Sequence, residues 1–221
     1  MPENLAAESG FKTDFLFLYY ITDRTQFPGA ERERSEQLLG KIRRAVTAGI
    51  DYIQLRERDL SGRQFEELAR QVAGVVRGTG SKTRLLINSR TDLALAIAGD
   101  GVNLRSRDIS PLEVRRIWRA AGSPGEPVVG VSCHSGEEVR SANAAGADFA
   151  VFGPVFGKGA ASGTGLAALE AACAHNIAVL ALGGITIENA RSCLHCGASG
   201  VAGIRLFQQG DLETTVRLLR L

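Results

Sequence analysis

The segment AVLALGGITIENARSCLHCGASGVAGI, residues 178–204, contains one full repeat of the pattern on which the fold is read. An apolar run at 178–181 leads to the paired glycines Gly183 and Gly184, and an amphipathic stretch follows at 187–196. A Cys196-Gly197 step closes that stretch, and a second apolar run begins at 200. Short apolar runs alternating with longer amphipathic segments specify parallel strands joined by helical crossovers.

Working outward, the same unit recurs along the chain. The apolar runs predict strands at 15–21, 52–55, 85–87, 101–104, 128–131, 149–152, 178–181 and 200–204. Helices are expected at 35–48, 61–77, 90–98, 111–121, 136–145, 166–174, 187–196 and 212–219. Ala48-Gly49, Ala145-Gly146 and Cys196-Gly197 stand where helices should stop, since glycine takes the left-handed conformation that caps a helix. Eight strand and helix pairs predict an α/β fold, a single (β/α)8 TIM barrel, because eight strands close the sheet and remove its edges. The rival is a doubly wound open sheet. It needs a phosphate loop after the first strand, and YYITDRTQF (19–27) carries no G-x-G-x-x-G there.

A chain of 221 residues that is 44 % hydrophobic can bury one sizeable core, so residues 15–221 are read as one barrel domain. Residues 1–14 are read as a flexible lead-in. That stretch has Glu3 and Glu8, no basic start and no apolar run, which argues against a signal peptide. No segment reaches the roughly 20 apolar residues of a membrane span. A cytoplasmic protein without a membrane partner is expected. The 26 basic and 24 acidic residues form no long block of one sign, so no nucleic-acid partner is expected. Cys133, Cys173, Cys193 and Cys196 are too irregularly spaced for a disulfide framework, and the lone C-x-x-C at 193–196 lacks the second ligand pair of a metal site.

In such barrels the working residues project from the C-terminal ends of the strands. QLRER (54–58) follows the second strand. If it alternates sides, Gln54, Arg56 and Arg58 share one face, and two guanidiniums there could clamp a phosphate, a pyrophosphate or a carboxylate. The competing reading is a surface ladder of ion pairs with Glu57 and Asp59. Asn88 and Ser89 follow the third strand, Asp108 the fourth, and Ser132 and His134 lie at the fifth. Lys158 lies in the glycine-rich loop after the sixth strand, and Ile204 and Arg205 end the eighth. Gly183 and Gly184 either make a tight turn or let a phosphate approach backbone N–H groups at a helix start; their place after the seventh strand favours phosphate. His134 is the histidine near a strand's C-terminal end, where an imidazole can both take and give a proton. Otherwise it caps the fifth helix or faces solvent.

The ordered set YYITD, QLRER, LLINSRTDLAL, GVNL, GVSCHS, GADFAVFGPVF, ALGGI and GASGVAGI resembles the thiamine phosphate synthase family, which includes its thiazole tautomerase relatives. The resemblance covers nearly the whole chain. For a synthase it implies Mg2+ and two partners, a pyrimidine pyrophosphate and a thiazole phosphate, with Gln54, Arg56 and Arg58 facing the pyrophosphate. Several positions depart from that pattern. Asn88-Ser89 stands for an Asn-Asp pair, leaving Asp108 as the matching metal ligand, and Arg58 stands for a lysine. Asn103 stands for a histidine, GKGAASGTG (157–165) for a Thr-x-Thr-Lys loop, and Arg205 for a serine. The tautomerases share the RER strand and the missing aspartate. Likeness to them implies His134 as general acid/base, the Gly184 backbone and Arg205 on the thiazole phosphate, Arg56 near a carboxylate, and no cofactor.

The leading expectation is therefore a cofactor-free thiazole tautomerase of thiamine biosynthesis. The alternatives are a synthase with Mg2+ at Asp108, in which Arg58 and Lys158 replace the usual lysines, and a non-catalytic barrel that binds thiamine precursors. A homo-oligomer is compatible with either enzyme.

Overall fold

The computed structural model describes residues 16–157 and 162–221. The proposed lead-in at 1–14, Phe15 of the first expected strand, and Lys158 lie outside them.

Eight parallel strands close into a barrel in chain order: β1 (Phe17–Ile21), β2 (Tyr52–Leu55), β3 (Arg84–Asn88), β4 (Gly101–Arg105), β5 (Val128–Cys133), β6 (Phe149–Phe152), β7 (Ala178–Leu182) and β8 (Gly200–Gly203). Closure is made where β1 meets β8, with Phe17 opposite Gly200 and Tyr20 opposite Gly203. The helices are α1 (Glu31–Ala48), α2 (Gly62–Gly78), α3 (Thr91–Ala96), α4 (Pro111–Ala120), α5 (Gly136–Ala144), α6 (Leu166–Cys173), α7 (Ile187–His195), α8 (Arg205–Gln208) and α9 (Leu212–Leu219). The expected barrel is the one observed.

Side-chain alternation along the strands builds two apolar layers. Tyr19, Ile21, Leu86, Phe149, Val151, Leu180 and Ala202 fill the barrel interior. Leu18, Tyr20, Ala150, Phe152 and their counterparts pack outward against the helices. The rings of Tyr19, Tyr52 and Phe149 meet with centroids 5.2 to 5.9 Å apart, so the interior is a packed plug rather than a pore.

Two of the bounds that differ from expectation do so for clear local reasons. α1 starts at Glu31 rather than 35, because the Glu33 carboxylate accepts the Ala30 N–H at 2.8 Å and caps the helix one turn earlier. β8 stops at Gly203; Ile204 already has φ −90° and ψ −71° and leads into the short α8, which the apolar pattern did not announce. β2 ends at Leu55, as expected, which bears directly on the site. The predicted glycine stop after α1 is present, with Gly49 at φ +88° donating its N–H back into the last turn. No helix of the described residues is long and apolar enough to cross a membrane.

Candidate active site

Two chains of hydrogen bonds organise the mouth of the barrel. Gln54, 2 % exposed, donates from Nε2 to Asn88 Oδ1 at 2.8 Å. Asn88 Nδ2 lies 3.4 Å from Ser89 Oγ, and the Ser89 hydroxyl donates to Asp108 Oδ2 at 2.6 Å. In the second chain the Tyr19 hydroxyl donates to Asn103 Oδ1 at 3.1 Å, and Asn103 Nδ2 donates to Ser132 Oγ at 2.9 Å. Gln54, Asn88, Asp108 and Ser132 thus lie on connected networks at the C-terminal end of the sheet. Asn103, fully buried, serves as a scaffold for Ser132.

Asp108 is closely held. Besides Ser89, it accepts the Arg105 backbone N–H on Oδ2 at 2.8 Å and Arg105 Nε–H on Oδ1 at 3.0 Å, and Arg105 Nη2 makes an ion-pair contact with Oδ1 at 2.9 Å. Burial alone would push the carboxyl up, but the hydrogen bonds from Ser89 and Arg105 outweigh it and hold the group below the ordinary aspartate range. Mg2+ bound by protein usually takes one or two carboxylates beside substrate phosphate oxygens. Here one carboxylate is present, both its oxygens are engaged, and the neighbouring Ser89 hydroxyl points its proton at it. Among the described residues no group of three His, Cys, Asp or Glu side chains is placed to hold a metal ion. The donor set does not fit Mg2+.

The QLRER expectation needs correction. Strand pairing stops at Leu55, so the alternation that would align Arg56 and Arg58 with Gln54 does not reach them. Arg56 is half-buried, with its N–H on Thr22 Oγ1 at 3.0 Å. Arg58 is exposed in the turn beyond and lines a cleft of about 280 Å³ with Asn88, Ser89, Arg90, Arg105 and the start of α2. The ion-pair alternative fails as well, since Glu57 and Asp59 are taken by Arg24. Arg24 was not a candidate. It sits three residues past β1, where only its polarity in YYITDRTQF marked it.

Arg24 bonds Glu31 at 2.6 and 2.9 Å, Asp59 at 2.6 and 2.9 Å, and Glu57 at 3.3 Å. Glu57 also accepts the Thr22 hydroxyl at 2.5 Å and the Arg24 N–H at 2.9 Å. Because Thr22 Oγ1 accepts the Arg56 N–H, the cluster fixes the backbone from which Arg56 projects.

His134 stands just beyond β5, exposed, with Nδ1 2.5 Å from the Gly153 carbonyl oxygen after β6. Its own N–H donates to Glu138 at 2.6 Å, and Ser135 caps α5. The imidazole is therefore not the helix cap. A carbonyl accepts only, so Nδ1 carries a proton and Nε2 is the ring nitrogen left to exchange one.

Gly183 and Gly184 have φ of +98° and +64°. A Cβ on Gly183 would fall 2.5 Å from Pro154 Cα, and one on Gly184 2.7 Å from Phe156 Cβ. Packing of the loop after β6, tied down by Val155 N–H to Leu182 O at 2.8 Å and Phe156 N–H to Gly183 O at 3.0 Å, is enough to demand glycine here. Gly184 and Arg205 line one cleft of about 410 Å³ with Thr186 and Ile187 at the start of α7, while Ile204 packs at the rim of the barrel core. The cysteines are free, and burial raises the thiols of Cys133 and Cys173 to about 12 and of Cys193 to about 11, which leaves them protonated at neutral pH.

Comparison with known proteins agrees with this architecture. A family model described as thiamine monophosphate synthase matches residues 18–207. The thiamine-phosphate synthase of Syntrophomonas wolfei is 36 % identical over 92 % of this chain and 94 % of its own length. That of Clostridium novyi is 36 % identical over 88 % and 91 %. The solved structure of thiamine phosphate pyrophosphorylase from Pyrococcus furiosus superposes with a TM-score of 0.76 at 29 % identity, covering 93 % of this chain and 94 % of that one. The names of these three relatives match the coupling reaction held as the alternative, and none of the three names is that of a tautomerase. With 190 of its 221 residues matched by the family model and relatives aligned nearly end to end, the chain belongs to the thiamine monophosphate synthase family.

Proposed function

We propose that this member of the family moves a proton on a carboxylated dihydrothiazole phosphate, giving the aromatic thiazole used in thiamine biosynthesis. The observation that carries the reading is the bond of His134 Nδ1 to the Gly153 carbonyl, which presents Nε2 as a base. Nε2 removes a proton from one ring carbon and returns it at the other end of the conjugated system. Atoms and electrons are conserved, as an isomerisation requires, and one group serves as base and then acid. Arg56 lies near the carboxylate, Arg205 and the Gly184 backbone take the phosphate, and Asn88 and Ser132 line the ring. No cofactor enters.

A second reading, coupling of a pyrimidine pyrophosphate to the thiazole phosphate with Mg2+, is favoured by the names of the relatives. The two are separated by offering each substrate set with and without Mg2+ and following both thiazole aromatisation and thiamine phosphate formation. Aromatisation that persists in chelator supports the isomerase. Metal-dependent coupling without aromatisation establishes the synthase, and ligand binding without turnover leaves a precursor-binding barrel.

A further inference from the structure

The end of the polar chain at Asp108 has a direction. Gln54 donates to Asn88, Asn88 to Ser89, and Ser89 to Asp108, so the bonds run one way and end on the carboxylate. From the other side Arg105 closes on the same carboxylate with its backbone N–H and two guanidinium nitrogens. Three hydrogen bonds and one further guanidinium contact thus meet two oxygens. A cation at this point would need lone pairs where the chain supplies protons. It would also have to displace a guanidinium held against Oδ1 through two of its nitrogens.

We propose that Arg105 is the built-in cation of this site: its guanidinium occupies on Asp108 the place of a divalent metal, and its outward N–H groups, with Arg58, present positive charge to an anionic group of the substrate in the adjoining cleft. The burial of the two partners suits this role. Asp108 is 14 % exposed, so its charge needs a resident partner, whereas Arg105 is 75 % exposed and keeps donors free on the cleft side. An exposed guanidinium adds little through Coulomb attraction alone. The hold comes from three hydrogen bonds and one further guanidinium contact converging on a mostly buried carboxylate. Mg2+ gives up its water reluctantly and would gain only one carboxylate by entering. Arg90 lines the same cleft but is taken up by Asp92 at 2.6 and 2.8 Å, which leaves Arg105 as the cation joining the cleft to Asp108.

The inference goes beyond the isomerase reading, because it concerns the cation whichever ring chemistry the site performs. The test uses full-length protein in chelator-treated buffer, titrated with Mn2+ while the free ion is followed by electron paramagnetic resonance. Wild type should leave the same free signal as Asp108→Asn. The double variant S89D/R105A, which supplies a second carboxylate and removes the guanidinium, should bind one Mn2+ about ten- to a hundred-fold more tightly than wild type. Adding D108N to it should abolish that gain. The proposal is overturned if wild type takes up one Mn2+ per chain and D108N removes it. It is equally overturned if S89D/R105A, folded by circular dichroism, binds no better than wild type. Since the readout is metal uptake and not turnover, its failure is distinct from failure of the isomerase reading.

Discussion

Arg24 Nη1 and Glu57 Oε2 meet at 3.3 Å with their side chains 2 % and 1 % exposed, and this pair joins the loop after β1 to the loop after β2. Glu57 is raised above the ordinary glutamate range by burial, against the hydrogen bonds from Thr22 and Arg24 that pull it down. Removing the guanidinium would leave that carboxylate buried without its partner. Arg24→Met is expected to cost about 3–5 kcal/mol, the usual penalty for breaking one half of a buried pair. Urea denaturation of the variant against wild type measures it; a loss under about 1 kcal/mol would show that the pair is only a surface-type bridge.

Asp108 contributes to the pH dependence of stability with a definite sign. Its carboxyl titrates lower in the folded chain than in the unfolded one. The unfolded state therefore binds more protons in that interval, and the stability is present above the unfolded value and lost as pH falls through the folded one. Wild type should lose stability below about pH 4, and Asp108→Asn should lose it less steeply over the same range. Chemical denaturation at a series of acid pH values checks this, and identical slopes would remove Asp108 from the account.

Asn103 is the hinge of the second network. Replacing it with leucine would strand the Tyr19 hydroxyl in the core and release Ser132. An unsatisfied buried donor costs about 1–3 kcal/mol, so Asn103→Leu should lower stability by that amount. Asn103→Leu with Tyr19→Phe should recover part of it, since the stranded hydroxyl is then gone. A thermal melt of the single and double variants decides, and a double variant no better than the single one would place the cost elsewhere.

How much of this was legible before the fold was known depends on the range of the contact. FAVF at 149–152 and YIQL at 52–55 are the strands themselves, because a parallel strand buried on both faces must be written as an apolar run. The positions of Gln54, Asn88, Asp108 and Ser132 at the mouth followed from the same rule. What could not be read were contacts between units. Ser89 reaches Asp108 across 19 residues, and Arg24 reaches Glu57 across 33, only once the barrel has closed. The alignment of Arg56 and Arg58 with Gln54 required strand alternation to continue past Leu55, where the strand ends both in expectation and in the structure. Gly183 and Gly184 were legible as glycines that mattered, yet the partners that require them, Pro154 and Phe156, belong to another strand's loop.

Those contacts make a prediction of their own. Gly183→Ala would place a methyl against Pro154 at a φ of +98°, and Gly184→Ala one against Phe156 at +64°. A non-glycine residue held in that region costs about 1–3 kcal/mol before any clash. Both variants should be less stable by at least about that much, and the loop after β6 should exchange its amide hydrogens faster. Hydrogen exchange resolved to residues 153–157 and 182–186 measures the second effect; unchanged exchange would mean that the two loops do not depend on each other.

The last prediction separates the proton carrier from its scaffold. Glutamine at position 134 can still donate an N–H to the Gly153 carbonyl, but it has no titrating nitrogen to take a proton. Under the isomerase reading, His134→Gln should keep the fold and the affinity for the thiazole phosphate and lose about 10²–10⁴-fold in the rate of aromatisation. His134→Ala should lose a similar factor and also free the Gly153 carbonyl, so the two variants differ in loop order and not in rate. Steady-state kinetics should show the change in kcat with KM nearly constant. If the loss appears in KM instead, His134 binds the substrate without moving its proton, and the base must be sought elsewhere in the mouth.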